Sequence, residues 1–165
     1  MAKEHGIFSG SKLKYKGIFD LNMIYKKLRL WLMDLGYSDP KEIKYVERVK
    51  TEGKMIEFIW EMDKTEEKDY FKIKQEIKFM IVGLQEVEVE NDGKKMKMDN
   101  AEVELEFSSS VVSNANDDWE EETLMHKLYK KHIIHDKIEF YKIETYKDTT
   151  DIMDELKNYF NLYKF

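Results

Sequence analysis

The chain of 165 residues has no cysteine, one proline, seven glycines and only two arginines among its 28 basic residues. Without thiols there are no disulfides and no cysteine metal sites. A single proline, Pro40, and few glycines leave little room for linkers. Arg29 and Arg48 are poor equipment for bidentate phosphate recognition. The net charge of −6 further sets nucleic acid aside as a partner. No apolar run approaches the roughly 18 residues of a membrane-spanning helix. Residues 1–11 hold no apolar segment of the signal-peptide kind. A cytoplasmic protein that is not transmembrane is expected.

Charge is divided unevenly. Residues 1–50 carry 11 basic and 6 acidic side chains, and residues 51–165 carry 17 and 28. The basic part leaves peripheral contact with an anionic membrane face open.

What is abundant is alternation. Phe58, Trp60 and Met62 fall on one side of a strand, with Glu57, Glu61 and Asp63 between or beside them. Phe71, Ile73, Ile77, Phe79 and Ile81 follow in the same rhythm, and then Ala101, Val103, Leu105 and Phe107 between glutamates. Period two gives strands with one wet and one buried face, in an antiparallel sheet whose second face needs a cover. Strands are expected at 12–19, 41–50, 54–63, 69–82, 84–90, 94–98 and 101–112. Asn91-Asp92-Gly93 is the strongest hairpin signal. Residues 1–11 read as a flexible tail and residues 12–165 as a single domain.

Helical spacing supplies the cover. Asp20 reads as an N-cap for a helix over 21–35 with Leu21, Ile24, Leu28, Trp31, Leu32 and Leu35 on one face. Gly36 suits a left-handed C-cap. The acidic run Asp117, Asp118, Glu120, Glu121 and Glu122 suits the start of a helix near Trp119, carrying Leu124, Met125, Leu128, Tyr129 and His132. Asp148 then reads as the cap of a separate final helix with Ile152, Leu156, Tyr159, Phe160 and Tyr163 on its apolar face. The fold class that follows is α+β: one curved antiparallel sheet of about six or seven strands packed on an N-terminal helix and C-terminal helices.

No catalytic constellation stands out. His132 and His135 share a helix face with Asp136, but His126 turns away and no second ligand element exists. Ser108-Ser109-Ser110 lacks nucleophile-elbow glycines, and no phosphate-binding glycine loop or calcium loop is present. No catalytic residue, metal or cofactor is assigned. Acid–base chemistry would need a polar group inside a pocket, for which Tyr129, His132 and Gln75 are the candidates.

The order of elements resembles the helix-grip architecture of the START and Bet v 1-like (polyketide cyclase-like) superfamily. In that architecture a curved sheet wraps a long C-terminal helix and often leaves a cavity for lipids or other apolar molecules. Tyr15-Lys16-Gly17-Ile18-Phe19-Asp20-Leu21 and Lys131-His132-Ile133-Ile134 are similar to segments of uncharacterised archaeal proteins of this size. With no catalytic motif in the chain, the expectation is a non-enzymatic domain of helix-grip-like form that binds a hydrophobic ligand or lipid between sheet and helices. Phe58, Trp60, Phe71 and Phe79 from the sheet, with Leu128 and Phe160 from the helices, are the candidate ligand-binding residues. The alternative is an interaction module with a solid core, docking a protein or a membrane surface through its first helix or through Tyr159, Phe160, Tyr163 and Phe165.

Overall fold

The period-two rhythm becomes five antiparallel strands in the computed structural model, which describes residues 1–67, 70–116 and 124–162, with backbone alone at 126, 129 and 130. In chain order these are β1 (Lys3–Phe19), α1 (Leu21–Asp34), β2 (Lys41–Lys50), β3 (Gly53–Glu66), β4 (Phe71–Asn91) and β5 (Lys94–Ser113). A C-terminal helical run follows as α2 (Leu124–Tyr129), a π turn (Lys130–Ile134) and α3 (His135–Leu162). One open sheet has the order β1-β5-β4-β3-β2, every neighbour antiparallel.

Five strands, not six or seven, is a correction with a local cause. Gly83 (φ +69°) forms a bulge where the β4–β5 register shifts between Val82 and Gln85. A bulge inserts one residue and flips the alternation without ending the strand. Opposite it, Asn100 pairs with Gln85 and Asp99 with Glu86, so β5 runs on through its own phase change. Each long strand therefore reads as two short ones in the sequence.

Residues 3–11, expected in a loose tail, belong to β1 and pair with β5 from Lys3 opposite Ser113 onward. Register shifts between Gly6 and Phe8, and between Phe8 and Ser11, break the alternation there and conceal the strand. β3 also outlasts its expected end at Asp63. The expected helix start near Trp119, the strand start at Asp69, and Tyr163 and Phe165 lie outside the described residues.

Helix α1 is built as its caps require. The Asp20 carboxylate accepts from the Met23 N–H at 2.9 Å, and Asp99 of β5 accepts from the Leu21 N–H at 2.9 Å. Ile24, Leu28 and Leu32 face inward. The second correction is at the C-terminus, where one unbroken helical run replaces the two expected pieces. Asp148 caps nothing and sits buried in mid-helix. Thr145, Thr149 and Thr150 return their hydroxyls to the carbonyls of Tyr141, Thr145 and Tyr146, each four residues back, at 2.6, 2.9 and 3.0 Å.

Both helices cover one face of the sheet. Ile56, Phe58, Trp60 and Met62 of β3, Phe71, Ile73, Ile77, Phe79 and Ile81 of β4 and Val103, Leu105 and Phe107 of β5 join Leu28, Leu32, Ile152 and Leu156 in one core. The other face carries the charged alternates, cross-linked by pairs such as Lys12–Glu104 (2.9 Å) and Lys44–Glu57 (2.7 Å).

Candidate functional site

The loop after α1 delivers the first polar group into the core. Gly36 (φ +90°) closes the helix in a Schellman motif, its N–H on Met33 O at 2.9 Å and the Tyr37 N–H on Leu32 O at 3.1 Å. That turn points Tyr37 inward against Leu32. Ser38 then clamps β3 twice, its N–H on Asp63 O at 2.8 Å and its hydroxyl accepting from the Asp63 N–H at 3.1 Å. Tyr37 is thereby held beside the next residue of β3, Lys64.

Lys64 is buried within β3, although it lies beyond the strand end expected at Asp63. Its ammonium lies 2.8 Å from Asp148 Oδ2, 3.4 Å from Glu144 Oε1 and 3.5 Å from Leu35 O, and 4.8 Å from the centre of the Tyr37 ring. Tyr37 donates to the same Asp148 oxygen at 3.0 Å. Gln75 of β4 donates to Tyr37 Oη at 3.3 Å and to Thr149 Oγ1 at 2.8 Å. Burial pushes the Tyr37 phenol far up, a push that Asp148 reinforces and the Gln75 donor opposes. Every donor of Lys64 is engaged, and the gap bounded by Leu32, Tyr37, Gln75, Phe107, Asp148 and Ile152 has no room for a water molecule. A closed, satisfied network of this kind orients elements; here it fixes α3 in height and rotation against β3 and β4. Just past the same end of β3, Glu67 accepts from Lys137 at 2.6 Å and from the Tyr141 hydroxyl at 3.4 Å. Burial first, and Glu67 second, pushes Tyr141 up to about 12.

The six residues expected to bind an apolar ligand do not share one place. Phe58, Trp60 and Phe79 are together and touching, with ring centres 4.2 Å apart for Phe58–Phe79 and 5.2 Å for Trp60–Phe79. Phe71 packs on Tyr141 at 4.9 Å, and Phe160 stacks on Tyr15 at 4.3 Å. All five are buried, whereas Leu128 is 53 % exposed. Of the three candidates for acid–base work, Gln75 lies in the buried network, His132 is exposed, and the side chain of Tyr129 lies outside the described residues.

What the fold leaves open is the outer side of the C-terminal helical run. Leu124 (78 %), Leu128, Phe140 (61 %) and Ile143 (69 %) are exposed there, beside Met125 and Ile133. The π turn is responsible for this alignment. Five residues at π spacing lag an α-helix by roughly a quarter turn. That lag carries Leu124 and Leu128 away from the face that buries Ile134, Tyr141 and Thr145, and into line with Phe140 and Ile143.

A second open feature lies across the far face of the sheet, a saddle of about 580 Å³ floored by Gly6, Ser108 and Ser110 and walled by Lys72, Lys74, Glu61, Asp63 and Glu76. Its charges are of both signs, and Lys72 already pairs with Asp63 at 3.2 Å.

No family model, no curated protein and no solved structure matches the chain. No helix among the described residues is long and apolar enough to cross a membrane.

Proposed function

We propose that this chain is a non-catalytic interaction module that works through its surface, docking a partner on the outer stripe of its C-terminal helical run. The observation that carries this reading is the exposure of Leu124, Leu128, Phe140 and Ile143 on the side of the helix opposite the core. Large apolar side chains exposed along one side of a helix mark interaction sites. Support also comes from the interior. An apolar ligand between sheet and helices would have to push apart rings already in contact at Phe58, Trp60 and Phe79.

Two measurements test it. Native mass spectrometry with a panel of fatty acids is expected to give the mass of the bare chain; stoichiometric uptake of a lipid would overturn the reading. Retention on a hydrophobic-interaction column is expected to fall on substitution Leu128→Glu or Phe140→Glu, with unchanged circular dichroism. Unchanged retention would mean that the stripe is not the docking surface.

A further inference from the structure

We propose that the free edge of β2 takes up an extended segment of a partner protein as one more strand, a segment acidic at every second residue. This site is separate from the helical stripe and goes beyond the reading above.

β2 ends the sheet, with β3 on one side and no strand on the other. All of its residues except Val46 are exposed. An edge strand turns half of its N–H and C=O groups away from its neighbour, a template for one more strand. From Lys44 to Lys50 the register with β3 runs without a shift, so this template is regular. The other edge, β1, has two shifts, and α3 packs against it with Phe160 on Tyr15.

Charge on the face away from the helices selects the occupant. Charges there stand in columns that alternate in sign from strand to strand. They are acidic on β5 and β3, and basic on β1 and, apart from Glu76, on β4. The β2 column is Lys41, Lys44, Arg48 and Lys50, with no acid in it. On β3 beside it, Glu57 is already shared by Lys44 at 2.7 Å and Lys78 at 3.8 Å. Arg48 and Lys50 stand opposite Met55 and Gly53 and make no ion pair among the described residues. The two acids of β2 lie on the helix side and are engaged. Glu42 accepts from Trp60 Nε1 at 3.4 Å, and Glu47 pairs with Lys54 at 3.0 Å. The column that fits outside β2 is therefore acidic. The sheet holds its own precedent, since Glu104 of β5 takes both Lys12 and Lys14 of β1. On the helix side the added strand meets Tyr45 and Val49, both exposed, which suit apolar alternates. Two β2 edges joined antiparallel would instead set basic column beside basic column, which disfavours a second copy.

The probe is a capped, labelled peptide with the sequence of residues 101–107, Ala-Glu-Val-Glu-Leu-Glu-Phe. Fluorescence anisotropy is expected to show binding to the intact chain with a dissociation constant below about 1 mM. Arg48→Glu with Lys50→Glu, checked for folding by circular dichroism, should weaken it by at least about tenfold. Amides within Lys44–Lys50 should gain hydrogen-exchange protection when the peptide binds. No binding would overturn the proposal, as would binding indifferent to the double variant or binding that leaves the β2 amides unprotected. Protection of the same amides in a dimer without peptide would give the edge to a second copy. Pelleting with phosphatidylserine vesicles that the double variant abolishes, with no peptide bound, would give the basic column to a lipid surface. Either result would also overturn it. None of these measurements involves Leu128 or Phe140, so the stripe and the edge can fail separately.

Discussion

Lys64 and Asp148 stand 84 residues apart in the chain and 2.8 Å apart in the fold, one on β3 and the other in the middle of α3. Both are buried, and they tie the sheet to the C-terminal helix. Removing one partner of such a pair leaves a buried charge without compensation, whereas removing both leaves an apolar contact. Lys64→Met is therefore expected to cost about 3–5 kcal/mol, and Lys64→Met with Asp148→Leu much less. Urea unfolding of the two variants beside the wild type measures this. Equal losses in the single and double variants would mean that the pair contributes no specific coupling.

Gly36 sits at φ +90°, where a side chain is strained, and its turn is what aims Tyr37 at Asp148. Gly36→Ala should destabilise the fold by about 1–2 kcal/mol. Tyr37→Phe keeps the turn but leaves Gln75 and Asp148 each one hydrogen bond short, for a loss of about 1–3 kcal/mol. Thermal melts that rank both variants with the wild type would contradict this account of the loop.

His5 lies on β1 with its Nε2 shielded from solvent and unpartnered among the described residues. Burial first, then Lys142 and Lys3, pull its pKa below the usual 6.5, against a weaker opposing pull from Glu139. The unfolded chain therefore takes up this proton first as pH falls. The His5 contribution is fully present above about 6.5 and is lost as the pH drops through the lowered folded value. Between about pH 7.5 and 5.5, His5→Gln should lose less stability than the wild type, measured by denaturant midpoints. Identical pH profiles would show that His5 is solvated.

The legible parts of the fold are those where local chemistry and tertiary structure agree. Asp20 and Gly36 bound α1 because capping is local, and the alternation over 56–63 and 71–81 is regular because β3 and β4 pair there without a register shift. The bulge at Gly83 defeated strand counting, since a phase change and a strand end look alike in one sequence. Asp148-Thr149-Thr150-Asp151 looks like a helix start for a similar reason: the same side chains that cap a helix can also return hydrogen bonds within one. The buried network did leave a trace. Lys64 is in phase with Phe58, Trp60 and Met62, and Gln75 with Phe71, Ile73, Ile77 and Phe79, so two polar residues occupy core positions on adjacent strands. Their partners on α3 were not legible, because they come from 74 to 84 residues further along. Nor could spacing at 3.6 residues per turn show that Leu128 turns outward, because the π turn lies between it and the buried face.

The sheet order gives β1 its partner late. Lys3 and Ser113 are 110 residues apart, yet they lie side by side. A ribosome adding about 5–20 residues per second needs roughly 5–20 s to cover that distance. Throughout that interval Leu13, Tyr15 and Phe19 have no sheet to join. β2 to β5 can meanwhile zip as a meander of neighbours, leaving the free edge of β5 as the template that waits. Lys12, Lys14 and Lys16, alternating with those apolar residues, give the waiting strand a charge at every second position. Two of them later find Glu104 on β5. The lysines that end as surface ion pairs thus serve first to keep an unpaired β1 from joining the wrong edge.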